Sequence, residues 1–207
     1  MTRKPMHTIG ILGSGRVGTT LAAGLAGAGH HVVVGTRTGA RPGEWAGPEL
    51  GFADHETTAR QAAIVINATP GDGTLERLTA LREPLSGKIL VDVSNAAVHR
   101  PDAQPHAERL QEALPRTQVV KTLNTMFHSV MTDPHRLSVP PTAFLSGDDA
   151  DAKATVRTLL AGLGWPPEWI LDLGGISTAE GTEALVALVP HVMRSRGFAP
   201  FALTLAS

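Results

Sequence analysis

The sequence predicts an α/β fold of the doubly wound kind, with a mainly parallel sheet, and three observations carry that prediction. Short apolar runs alternate with helix-period segments along almost the whole chain, the pattern of right-handed strand-helix-strand crossovers. The first run, Ile9-Gly10-Ile11-Leu12, breaks into Gly13-Ser14-Gly15-Arg16-Val17-Gly18 and resumes as Leu21-Ala22-Ala23-Gly24-Leu25, which reads as strand, tight turn and helix. Composition agrees: of 207 residues 42% are hydrophobic and 18% charged, enough for one sizeable core and short for two.

The glycine turn sets the ligand class. Gly13 lets the chain turn sharply, Gly15 lets backbone N–H groups approach a pyrophosphate, and Gly18 lets the helix pack closely on its strand. The helix N-terminus adds a partial positive charge for the anion. Such a motif by itself can be a bare turn; here it follows a strand, opens a helix, and is followed by a second strand, His31-Val32-Val33-Val34. This is the Rossmann-type arrangement for a dinucleotide. An NAD site usually places a carboxylate about 20 residues past the glycines, for the ribose 2′-hydroxyl. This chain instead reads Gly35-Thr36-Arg37-Thr38-Gly39-Ala40-Arg41. A hydroxyl at Thr36 beside the guanidinium groups of Arg37 and Arg41 suits a 2′-phosphate, so NADP is expected over NAD.

The remaining elements follow in order. Thr57 to Ala62 reads as a short helix, Ala63 to Asn67 as a buried third strand, and Asp72 as the cap of a helix starting near Thr74. Lys88 to Val93 is the next strand and delivers Ser94 and Asn95 at its carboxyl end. A loop with Pro101 and Pro105 leads to a helix from His106 to Leu114, and Gln118 to Leu123 is a fifth strand followed by Asn124. Thr69, Ser94 and Asn124 thus share the carboxyl edge of the sheet, where ligands bind in open α/β folds. Thr142 to Gly147 and Trp169 to Leu173 read as further strands flanking a helix from Asp149 to Leu163. A long final helix spans Ser177 to Arg196, with Leu185, Leu188, Val189 and Val192 as its apolar stripe and a bend at Pro190. The tail, Gly197 to Leu203, is too apolar to lie in water and is expected to pack on its own domain or on a second copy in a homodimer. The whole chain, 1–207, is expected to form a single domain, with 1–128 as the dinucleotide-binding core and 129–207 as an extension that packs on it and completes the site.

Several chemistries are excluded. With no Cys there is neither a disulfide, a thiolate metal ligand nor a cysteine nucleophile, and with no Tyr there is no Tyr-Lys proton relay. The nine His residues include no convincing helical pair, so no metal is assigned. A net charge of −1 offers no surface for nucleic acid or an anionic membrane. No apolar run reaches the ~18 residues of a membrane helix. Arg3 and Lys4 before an apolar segment resemble a secretion signal, but Gly10, Gly13 and Gly15 interrupt it, and a cytoplasmic location is expected.

Taken together, Gly13 to Gly18, Val34-Gly35-Thr36-Arg37, Ala68-Thr69-Pro70, Val120-Lys121-Thr122-Leu123-Asn124-Thr125 and Leu173-Gly174-Gly175-Ile176-Ser177-Thr178-Ala179 resemble the NADP oxidoreductase, coenzyme F420-dependent family over nearly the whole chain. The reductase domain of the six-transmembrane metalloreductases is similar and uses a flavin. The resemblance implies Ser14 to Val17 along the pyrophosphate, Thr36, Arg37 and Arg41 around the 2′-phosphate, and Thr69 and Pro70 near the nicotinamide ribose. Asn124, Thr125 and Met126 would line the nicotinamide pocket, and Phe201 would close it. The chain has Asn124 where the deazaflavin enzymes often have His, and Glu180 where relatives commonly carry Arg.

A hydride passed between two stacked rings needs orientation and exclusion of water more than an acid, which fits hydride transfer between NADP(H) and a flavin-like acceptor such as coenzyme F420. Two other readings stay open. One is an NADPH-dependent reductase of a small C=O, C=C or C=N substrate, with Lys121, His128 or His191 as proton donor, although Lys121 also reads as a strand-end surface charge. The other is an NADP-binding sensor without turnover.

Overall fold

The computed structural model describes residues 7–43, 45, 48–96 and 104–205; the expectations placed on Arg3, Lys4 and Pro101 lie outside them. Eight strands share one sheet: β1 (Thr8–Leu12), β2 (His31–Thr36), β3 (Gly51–Asp54), β4 (Ile64–Asn67), β5 (Ile89–Asp92), β6 (Gln118–Thr122), β7 (Ala143–Ser146) and β8 (Ile170–Gly174). Their spatial order is β3-β2-β1-β4-β5-β6-β7-β8. Neighbours from β3 to β6 are parallel, β7 runs antiparallel to β6, and β8 is parallel to β7. The strand order reverses between β1 and β4, and the crevice at their carboxyl ends is where such a fold binds ligands.

Strand periodicity divides the core into two layers. Ile9, Ile11, Ile64, Ile66, Val91 and Val120 face one layer, against α1 (Arg16–Gly27) and α7 (Ala150–Gly162). Leu12, Val65, Leu90 and Val119, one position away along the same strands, face the other. That second layer is covered by α2 (His55–Gln61), α3 (Thr74–Thr79), α4 (Arg82–Leu85) and α5 (His106–Ala113). Because both faces are covered, the strands are continuous apolar runs, as the sequence reading assumed.

Several elements differ from expectation. β3 falls in a stretch to which the sequence assigns no element; four residues framed by Gly51 and Asp54 carry too little apolar alternation to register. Asp54 ends it and caps α2, accepting from the Thr57 N–H at 2.7 Å, so that helix begins two residues early. At α3 the cap position belongs to Gly73, with φ of 71°, rather than to Asp72.

The expected final helix is four pieces: a 3-10 turn at Ile176–Thr178, α8 (Ala179–Ala184), a second 3-10 turn at Leu185–Leu188, and α9 (Val189–Arg196). Pro190 lies in the first turn of α9, where its missing N–H costs nothing, so the chain tightens before the proline instead of bending at it. A short helix, α6 (His128–Met131), follows β6. The tail lies on its own chain: the Phe127 N–H donates to the Phe201 carbonyl at 2.8 Å and the Leu203 N–H to the Thr125 carbonyl at 3.2 Å. Leu188, Phe198 and Leu205 stay exposed.

Candidate active site

A cleft of about 770 Å3 runs along the carboxyl edge of the sheet. One end is made of backbone. Gly13 adopts φ of +107°, and a Cβ there would meet the Ala68 carbonyl oxygen at 2.7 Å. A Cβ on Gly18 would lie 2.0 Å from the Gly13 carbonyl oxygen, which is the close helix-strand contact the third glycine allows. Gly15 differs from both, since a Cβ there would meet nothing within 4 Å and would project into open space. The helix α1 that starts after it has no side-chain cap, so among the described residues no side chain takes up its first-turn N–H groups. An open cradle above an uncapped helix N-terminus fits a pyrophosphate. Ser14, Arg16 and Val17 line the cleft beside it.

Around the carboxyl end of β2, Thr36 and Arg37 line the same cleft. Thr36 is buried and donates its hydroxyl hydrogen to the Ala40 carbonyl at 3.0 Å, so it shapes the turn that presents the exposed Arg37. Two further residues join them that sequence reasoning missed. His55 opens α2 against Gly35, and burial, followed by the Arg77 and Arg37 charges, holds its imidazole below the ordinary 6.5. Arg77, on α3, donates from Nη2 to the Thr69 hydroxyl at 3.3 Å, to the Thr74 hydroxyl at 3.0 Å and to the Pro70 carbonyl. Neither position carries a local signal, because each reaches the cleft only through the packing of its helix.

The other end is made of side chains. Ala68, Thr69 and Pro70 leave β4, Ser94 and Asn95 leave β5, and Asn124 and Met126 leave β6, all lining the cleft with Val93 and Met131. Beneath them lies a buried polar network. Lys121 Nζ donates to Asp92 Oδ2 at 2.7 Å and to the Ser94 carbonyl, and it lies 3.5 Å from Glu183 Oε1. Asp92 Oδ1 accepts from Asn67 Nδ2 at 2.7 Å and from the Ser94 hydroxyl at 2.8 Å, and Asn67 Oδ1 in turn accepts from the Thr69 hydroxyl at 2.7 Å. Burial by itself raises the Asp92 carboxyl, but Lys121, His106 and the hydrogen bonds outweigh it and keep the group below 3.8. Glu183 also accepts from the backbone N–H groups of His106 and Ala107, at 2.6 and 2.9 Å, so α8 caps α5 from 76 residues away.

Leu123 is the one non-glycine residue with positive φ among those described, at 59°. That left-handed step turns the chain out of β6, and Asn124 then pairs reciprocally with Asn95. Asn95 Nδ2 donates to the Asn124 carbonyl at 2.7 Å, and Asn124 Nδ2 donates to Asn95 Oδ1 at 3.0 Å and to the Thr182 carbonyl at 3.1 Å. Backbone strain of this kind persists where the surroundings over-determine it.

Comparison with known proteins agrees with this geometry. Residues 8–96 match the sequence profile of the NADP oxidoreductase, coenzyme F420-dependent family. The solved structure of a candidate F420-dependent NADP reductase from Arthrobacter sp. FB24 superposes with a TM-score of 0.87 at 38% identity, over 96% of this chain and 99% of that one. The chain belongs to the NADP oxidoreductase, coenzyme F420-dependent family. A hypothetical protein, SMa0349 from Sinorhizobium meliloti, is 27% identical with a TM-score of 0.67, over 84% of this chain and 88% of that one. Metalloreductase STEAP3 of Rattus norvegicus is 34% identical over 193 residues, which is 88% of this chain and 37% of that protein. The chain therefore spans little more than a third of the length of the curated relatives it matches. Among the described residues no helix is long and apolar enough to cross a membrane.

Three of the expected family positions, Arg41, Thr125 and Phe201, stand outside the cleft, and so does the proton-donor candidate Lys121. Arg41 is exposed and donates from Nη2 to the Trp45 carbonyl at 3.2 Å. Phe201 lines a small separate cavity with Asn124, Thr125 and the apolar stripe of the C-terminal helices, while Phe198 is the tail aromatic that approaches the cleft, its ring centroid 5.3 Å from the Arg16 guanidinium. Lys121 is no strand-end surface charge: its side chain is 1% exposed and held by Asp92, Ser94 and Glu183 beneath the cleft floor. A strand-end reading misses this because Glu183 is 62 residues further along the chain.

Proposed function

We propose that the protein transfers a hydride between NADP(H) and a flavin-like acceptor such as coenzyme F420. The observation that carries this reading is the composition of the cleft's side-chain end. Pro70, Val93, Met126 and Met131 give it apolar walls, Thr69, Ser94, Asn95 and Asn124 give it neutral hydrogen-bonding groups, and no described residue there titrates near neutral pH. Such a site stacks, orients and dries two rings, and it supplies no proton. NADP(H) bound there supplies the hydride chemistry itself. Gly13 to Val17 would hold its pyrophosphate and Arg37 its 2′-phosphate.

The protein's own contribution is positional. The Asp92–Lys121 pair fixes Ser94 and, through Asn67, Thr69. The Asn95–Asn124 pair locks two strand ends together, and Asn124 is held from the far side by Thr182. The three proton donors that a small-substrate reductase would draw on are all placed elsewhere. Lys121 is enclosed, His128 Nδ1 is 3.0 Å from the Thr20 hydroxyl, and His191 is exposed on α9. Beyond Gly71 the cleft adjoins a groove of about 460 Å3 whose lining includes both Arg109 and Glu180, room for the remainder of an acceptor.

The test is anaerobic mixing of the protein and NADPH with coenzyme F420, FMN and FAD separately, following each acceptor's absorbance. Bleaching of one acceptor at a rate that rises with protein concentration is expected. NADPH binding without reduction of any acceptor would move the reading to the small-substrate reductase or the sensor.

A further inference from the structure

The cleft has a cationic lining that the glycine turn and Arg37 do not account for. Arg16, Arg37 and Arg77 all reach it, and no Asp or Glu is among its lining residues. Arg16 belongs to the turn and Arg37 to the end of β2, on one side. Arg77 comes from the opposite side, on α3 after β4, and its charge and that of Arg37 both reach the His55 imidazole and lower its pKa.

Among the described residues no carboxylate comes within ion-pair distance of Arg77. Its three hydrogen-bond acceptors, the Thr69 and Thr74 hydroxyls and the Pro70 carbonyl, are uncharged. Its Nε is buried without a hydrogen-bond partner. A half-buried guanidinium kept at full charge, with its rotamer already fixed by three neutral acceptors, is pre-organised for an anion and loses little entropy on binding one. The anion must lie in the cleft, because the cleft is the space that Arg77 lines.

We infer that Arg77 is the second arm of a two-sided clamp, opposite Arg37, on the phosphate at the 2′ position of the adenosine, and that it sets the preference for the phosphorylated dinucleotide. The inference rests on the NADP reading of this cleft. It differs from that reading in moving the second cation from Arg41, which is engaged with the Trp45 carbonyl, to a residue 40 positions away from Arg37 on another helix.

Calorimetric titration of the whole protein with 2′,5′-ADP and with 5′-AMP, which differ only in the 2′-phosphate, tests it without turnover. In Arg77→Gln the affinity for 2′,5′-ADP should fall ~10-fold or more while that for 5′-AMP holds, the size expected of a charge-assisted phosphate contact. Arg77→Lys should recover part of the loss, since it keeps the charge and gives up the fork. The 5′-AMP titration also guards against a misfolded variant: an equal fall for both nucleotides means that Arg77 only props the Thr69-Pro70 turn, and overturns the inference. An unchanged ratio overturns it too. Wild-type protein that binds neither 2′,5′-ADP nor NADPH would overturn the NADP reading along with it, so the two failures are told apart.

Discussion

The two ends of the cleft are built in different ways. The pyrophosphate end is backbone: three glycines, an uncapped helix start and a turn, all within six consecutive residues. The opposite end is an assembly of side chains, in which Asn67, Asp92, Lys121 and Glu183 come from four elements and are joined by buried, charge-assisted bonds. The first tolerates almost any surroundings that leave room for it. The second works only when distant parts of the chain meet, and each partner removed leaves another polar group buried without a mate.

That contrast is open to test. The largest effect is expected at the side-chain end: Lys121→Met strands the Asp92 carboxylate, which is fully buried, and should cost ~3–5 kcal/mol of stability in denaturant unfolding. At the backbone end Gly18→Ala drives a Cβ into the Gly13 carbonyl oxygen, which has no flexible side chain to yield, and should cost about 3 kcal/mol and weaken NADPH binding along with stability. Arg37→Ala should leave the unfolding midpoint in place, because the residue is exposed, while reducing NADPH affinity by about 1.5–3 kcal/mol and leaving NADH affinity little changed. An Arg37→Ala protein that still prefers NADPH would remove the basis for placing the 2′-phosphate there.

The smallest effect is one of pH. Burial holds His55, His106 and His128 below their ordinary 6.5. Under acid the unfolded chain therefore takes up protons that the folded chain refuses. Their contribution to stability is complete above pH 6.5 and is lost as the pH falls from there toward the lower folded values. Melting temperatures should drop as the pH falls below about 6.5, and His106→Gln should flatten part of that slope.

How much of this was written in the sequence follows the same division. The place of the glycine turn and of Arg37 on the cleft could be read directly, since each is set by its own backbone or by its position after a strand. The strand ends carrying Thr69, Ser94 and Asn124 could be placed as well, because strand, turn and helix alternate so regularly. Lys121 was the weak point. In the sequence it is one charge closing an apolar run, and its meaning depends on Asp92 across a strand pair and on Glu183 beyond β8. Arg77 and His55 were silent for the same reason. The broken final helix escaped because the spacing of Leu185, Leu188, Val189 and Val192 is apolar on one face whether the turns between are α or 3-10.

The cap on α5 comes from Glu183, a residue made 77 positions after the helix begins. The glycine turn and the pairing of β1 to β4 with one another involve only residues that precede Asp92, whereas the face of α1 waits for α6 and α7 to cover it. Lys121 emerges into a chain that offers it only one of its two carboxylates, and the start of α5 remains bare until residue 183 has left the ribosome.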